Sequence, residues 1–193
     1  MTTISDVLLR AKHWQVFLAM AAFVGAAVGA MLGSFALTPS GQFPSAVPFL
    51  VAMELFAMSF GLWVWSLGMF LNSIVPESLR TKSSFFRFSG IYLPVYLPLF
   101  GVFFQGQTMS RNASLILISF AVIFPLHLFA MFCQVYSWYF VSKSLALAEK
   151  QQSVSFEDYL GYICALWIFP VGVWIIQPRV NGLYANATAR LSS

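Results

Sequence analysis

Residues 14–37 read WQVFLAMAAFVGAAVGAMLGSFAL, without a single charged side chain. A helix rises 1.5 Å per residue and the hydrocarbon of a bilayer is about 30 Å thick, so about 20 apolar residues cross it. The stretch meets that length. It exceeds the roughly 7–15 residues of a signal-peptide apolar core, so it reads as a retained first span behind Arg10 and Lys12.

Four further stretches follow, at 47–71, 90–104, 113–141 and 160–176. The third is short and carries Pro94 and Pro98; Pro125 and Pro170 interrupt the fourth and fifth. A segment inside hydrocarbon must satisfy its own backbone polar groups, which selects helix. The expectation is an all-α polytopic membrane helix bundle of about five transmembrane helices, one domain over 1–193, with a re-entrant third segment as the alternative. Lys143 to Gln151 reads as a helical extension of the fourth span into a cytoplasmic loop, 142–157. Ser155 and Asp158, three residues apart, have the spacing of a capping box and predict a fresh helix from about Phe156.

Composition agrees. Of 193 residues 60% are hydrophobic and 8% charged, against about 45–50% and about 25% in soluble domains. Too little charge is present to coat a globule in water, so the main partner of the surface is the lipid bilayer. The net charge of +4 raises the question of nucleic acid, but no aromatic-and-basic face is present to stack bases, and none is expected as a partner. The basic residues flank apolar runs instead. With the N-terminus inside, Arg10, Lys12, Arg80, Lys82, Arg87, Lys143 and Lys150 lie inside and Arg111, Arg179 and Arg190 outside. That bias predicts a cytoplasmic N-terminus and an outer C-terminus. Should the third or fifth segment fail to span, the C-terminus moves inside.

Three features stand out. Gly25, Gly29 and Gly33 recur every fourth residue, a stripe of small residues that lets another backbone come close. The contact is either within the chain or with a homo-oligomer or membrane-protein partner. Glu54 lies within the second span, where an ionisable group costs about 2.5–3.5 kcal/mol on insertion scales and tends to mark a site. It either binds a proton, cation or basic group in a cleft or is hydrogen-bonded near the outer interface. His127 and Gln134, seven residues apart, share one face of the fourth span. They either line a pocket or proton path, or His127 simply pairs with a carbonyl freed by Pro125. Depth along the helices argues against a direct Glu54–His127 bond.

No catalytic set emerges. His13 and His127 lie at different depths, which disfavours a bis-histidine haem, and no paired Asp or Gly-rich phosphate loop is present. The sequence calls for no cofactor and no metal. Cys133 and Cys164 read as buried apolar residues. Trp65 and Trp167 read as too deep for an interfacial belt.

Several blocks resemble a group of small bacterial multi-pass membrane proteins that has no assigned activity. They are Lys12-His13-Trp14-Gln15, Trp65-Ser66-Leu67-Gly68 with Asn72, Pro76 and Glu77, Pro125-Leu126-His127-Leu128-Phe129 with Met131-Phe132-Cys133, and Phe169-Pro170-Val171-Gly172 through Gln177-Pro178-Arg179-Val180-Asn181. Together they are spread along about half of the chain. The resemblance implies the bacterial cytoplasmic membrane and carries over no site. Within the last block, Pro178 reads as a helix stop with Arg179 at headgroup level. The leading expectation is a non-enzymatic accessory or scaffold component of the membrane. Behind it stand a small transporter or channel using Glu54 and His127, and then a membrane enzyme acting on a lipid or quinone.

Overall fold

The structure, a computed structural model, describes residues 4–39, 47–109 and 113–192, with side chains except those of 104–109, 113–116, 118–119 and 191–192. The described residues are helical throughout apart from short connections. The helices are α1 (Ile4–Arg10), α2 (His13–Leu37), α3 (Val47–Ile74), α4 (Ser84–Met109), α5 (Ala113–Lys150), α6 (Phe156–Trp167) and α7 (Phe169–Ser192), with a 3-10 turn at Glu77–Leu79. Four helices are long and apolar enough to cross a membrane: α2, α3, α4 over Ser84–Phe103 and α5 over Phe120–Lys150.

The prolines of α4 and α5 stay inside continuous helices, so the third segment is a full-length candidate span and not a short one. Polytopic helices tolerate this because neighbouring groups satisfy the freed carbonyls. α5 also runs unbroken past 141 to Lys150, as its polar extension predicted. The loop expected over 142–157 shrinks to residues 151–155. There Gln151 takes a positive φ of 53°, and Asp158 Oδ2 accepts from the Ser155 amide at 2.9 Å to open α6.

The fifth expected span, 160–176, is not one helix. α6 ends at Trp167 and the chain reverses at Ile168 (φ −93°, ψ 77°). Phe169 precedes Pro170, which disfavours helical geometry at that residue, while Pro170 itself suits the first turn of a new helix. The reversal needs Gly172. A Cβ there would stand 2.4 Å from the Ala165 carbonyl oxygen, so only glycine lets α7 lie this close against α6. The two helices form an antiparallel hairpin, with Tyr162 of α6 beside Arg179 of α7.

The hairpin moves the C-terminal segment from the expected outer end to the N-terminal one. Asn181 reaches the Arg10 and Ala11 carbonyls, and Tyr184 packs on Phe70. α7 also runs through Pro178 to Ser192, so Pro178 is not a helix stop. The end that gathers α1, the α3–α4 turn, the α5–α6 loop and α7 is called the charged end below. Arg10, Lys12, Arg80, Lys82, Arg87, Lys143, Lys150, Arg179 and Arg190 all belong to it, as does every acidic residue except Glu54. Arg111 lies outside the described residues.

The core sits at the charged end. Trp63, Leu67, Leu71, Phe86, Phe140, Leu145, Leu166 and Ile176 are fully buried there. Phe86 stacks on Phe140 with centroids 4.3 Å apart. Gly68 fits beneath them: a Cβ at that position would meet the Phe86 ring at 2.5 Å. Toward the opposite end the helices turn large apolar side chains outward, among them Leu32, Phe35, Val95, Leu99, Val102 and Phe120. That is the surface expected where hydrocarbon is the solvent.

Candidate functional site

A concavity lies between α3 and α4 away from the charged end. Its upper part has a volume of about 770 Å³ and is walled by Leu50, Leu97, Pro98, Phe100 and Gly101, with Glu54 as the ionisable group. Ala57 and Leu97 continue the walls into a deeper compartment of about 250 Å³, which ends on Gln134, Ser137 and Trp138 of α5. Three local features open the gap. Pro94 and Pro98 lie inside α4. Gly61 leaves a position where a Cβ would meet nothing within 4 Å. Gly90, by contrast, is pressed against the Trp65 ring, at 2.1 Å from its would-be Cβ, so the indole closes the floor.

Glu54 Oε1 is buried and has no hydrogen-bond partner. The Trp138 indole Nε1 is likewise buried and unpartnered. Unsatisfied buried polar atoms are rare in folded proteins, and two of them line one apolar gap.

His127 belongs to a different environment. Its Nδ1 pairs with the Tyr96 hydroxyl at 2.9 Å, and its ring stacks on Phe100 at 4.9 Å. The carbonyl expected as its partner is not used; the neighbouring Tyr92 hydroxyl donates to Leu126 O at 3.0 Å. Glu54 and His127 therefore lie against the same turns of α4, with Phe100 touching both the cleft and the imidazole. Among the described residues no hydrogen bond joins them. Gln134 lies with Trp138 at the inner end of the cleft and not beside His127's partner.

The glycine stripe is outside the bundle. Gly25, Gly29 and Gly33 have no described heavy atom within 4 Å of where a Cβ would stand. Val16, Met20 and Ala27 bury the other face of α2. Among the described residues, no contact within the chain explains the stripe.

The charged end holds polar chemistry that the sequence reading did not find. Gln177, fully buried, donates to the Leu8 and Ala11 carbonyls at 2.8 and 2.9 Å and accepts from Trp63 Nε1 at 2.8 Å. Those carbonyls belong to the last turn of α1, where intrahelical partners run out, so Gln177 and Asn181 act as its cap from a distant helix. On the far side of α7, Arg179 donates to Glu149 and to the Tyr162 hydroxyl, both at 2.9 Å. Tyr162 in turn donates to Glu149 at 2.7 Å. Burial, then the bond to Glu149, pushes the Tyr162 hydroxyl up to about 12, so it stays a proton donor. The bond to Glu149 holds the Arg179 guanidinium above its usual value. This triad ties α5, α6 and α7 together.

Two aromatic and cysteine expectations change as well. Trp65 packs between helices on Phe86, but Trp167, at the hairpin tip, is 72% exposed. Cys133 is buried, whereas Cys164 is exposed on α6. Both departures follow from the hairpin, which turns the far side of α6 away from the bundle.

No known protein family, no curated protein and no solved structure matches the chain.

Proposed function

We propose that the chain is a non-enzymatic component of the bacterial cytoplasmic membrane that associates with another membrane helix through Gly25, Gly29 and Gly33. The observation that carries this reading is the stripe's orientation. Small residues at this spacing lower the barrier to close helix approach in lipid, yet none of the described residues packs against them. The resemblance to small bacterial membrane proteins supports the location. The supporting architecture is four crossings plus the α6–α7 hairpin, with both termini and the charged end in the cytoplasm. Nine of the ten Lys and Arg residues lie at that end, a stronger bias than five full crossings would give.

The test is Gly29→Leu. Self-association measured by energy transfer between labelled copies in liposomes, and partner recovery from membranes, should both fall while unfolding is unchanged. If neither measurement moves, the stripe is not an association face. Orientation is read separately: a cysteine introduced at position 153 should resist an impermeant thiol reagent in intact cells and react in inverted vesicles. The transporter reading draws less support, because His127 is engaged by Tyr96 and Phe100 stands between it and the cleft. Nothing in the geometry favours a lipid- or quinone-converting enzyme.

A further inference from the structure

We propose that the α3–α4 cleft binds an amphipathic primary amine from the lipid phase, its ammonium on Glu54 and its alkyl chain directed toward Trp65 and Trp138. The site does not depend on the α2 stripe and stands or falls separately from it.

Charge comes first. An ionised carboxylate inside hydrocarbon is unfavourable unless a positive group reaches it. Glu54 Oε1 is buried and unpartnered. Every Lys and Arg of the described segments lies at the opposite end of the bundle, and His127 is engaged by Tyr96, so no described side chain pairs with the carboxylate oxygen. A cation entering from the lipid phase supplies that partner. An N–H donor satisfies the free oxygen as well as the charge, which favours a primary ammonium over a quaternary one.

Polarity along the cleft comes second. Glu54 lies seven residues into α3, about 10 Å below its first residue. Below it the walls are Ala57, Gly61, Pro94 and Leu97, down to the Trp65 floor. From the Glu54 carboxylate inward the cleft thus runs from polar to apolar, until Gln134, Ser137 and Trp138 at its inner end. An amphiphile resting in that leaflet has the same order, head outward and chain inward. The span from Glu54 to Trp65, about 16 Å at 1.5 Å per residue, accommodates an extended alkyl chain. Access is lateral, because exposed Met58 and Ile91 border the opening beside Gly61 and Pro94.

Shape comes third. A cleft that is mostly apolar with one or two convergent polar groups is the usual form of a small-molecule site. Gly61 is the residue that keeps it open, since a side chain there would project into free space.

The experiment uses the full chain in liposomes and a long-chain alkylamine carrying a photoreactive diazirine in mid-chain. Irradiation should label peptides spanning 57–65 and 90–97, identified by mass spectrometry. An unlabelled alkylamine should compete, and the alcohol of the same chain length should need about tenfold more. Glu54→Gln should reduce labelling by about tenfold, and Gly61→Leu, which fills the cleft, should abolish it. Equal competition by the alcohol, or undiminished labelling of Glu54→Gln, overturns the proposal and leaves Glu54 as a protonated residue facing lipid. Should Glu54→Gln fail to fold, the amine-against-alcohol competition on the unmodified chain decides alone.

Discussion

Gly172 and Gly29 lie on two helices of the same bundle and meet opposite surroundings. Gly172, beside the α6–α7 turn, has a backbone oxygen 2.4 Å from its would-be Cβ, while Gly29 meets no described atom within 4 Å. The same contrast runs through the polar side chains. Fully buried Gln177 makes three hydrogen bonds, whereas Glu54 Oε1 makes none. One region is packed like the interior of a soluble domain, although Ser142, Ser144 and Asn181 each keep a buried oxygen without a partner. The other keeps a helix face and a cleft that its own side chains do not fill. A fold needs only the first kind of region to be specified. Function in a membrane protein this short in loops has to come from the second.

The comparison breaks first at the glycines. Gly172→Val places a branched side chain where the Ala165 carbonyl already stands, and backbone, unlike a flexible side chain, has little room to retreat. Overpacking of this kind costs about 1–3 kcal/mol and more where relaxation is blocked. We expect destabilisation of about 3 kcal/mol or more, read from unfolding in detergent by circular dichroism. Gly29→Leu in the same assay should leave stability within about 0.5 kcal/mol. Equal losses at the two positions would erase the distinction between the regions.

The next largest effect belongs to the glutamines. Gln177→Leu preserves bulk but removes the partner of the Trp63 indole N–H and of the Leu8 carbonyl, while Asn181 keeps its bond to the Ala11 carbonyl. Each buried orphan costs about 1–3 kcal/mol, so a loss of about 2–3 kcal/mol is expected, with α1 released to proteolysis near Arg10. Gln134→Leu, at the inner end of the cleft, should change stability by less than about 0.5 kcal/mol. A Gln134 variant as damaging as the Gln177 one would mean that the cleft is part of the packed core.

How far these differences are legible in sequence depends on their range. Hydropathy and length located the membrane helices, because each span is a local property of about 20 residues. The capping pair Ser155 and Asp158 was equally local and placed the start of α6 correctly. The hairpin was not legible, since an apolar run looks the same whether it crosses or turns back; only Pro170 with Gly172 two residues later marked it. Gln177 was invisible for a different reason. Its partners Leu8 and Ala11 lie at the other terminus, and nothing near residue 177 announces them. Glu54 could be singled out because a carboxyl in hydrocarbon is costly wherever it sits, but the cleft around it is a product of how α3 meets α4. The glycine stripe is visible as a spacing in the sequence, but its direction depends on the packing of Met20 and Ala27.

The surface charges of the packed end should matter least, which itself sharpens the comparison. Arg179 is half exposed beside Glu149, and exposed pairs contribute about 0.2–1 kcal/mol, so Arg179→Ala should cost no more than that. Asp158 offers a sign test. Hydrogen bonds from Lys150 and from the Ser155 amide hold its carboxyl below the usual 3.8. A carboxylate lowered on folding stabilises the folded state at every pH above its unfolded value, and the contribution fades only as the pH drops through the lower folded value. The difference in unfolding midpoint between the unmodified chain and Asp158→Asn should therefore stay constant from pH 7 to pH 5 and shrink below about pH 3.8. A difference that already fades near neutrality would assign the effect to another group. One that persists in strong acid would mean the cap acts through shape and not through charge.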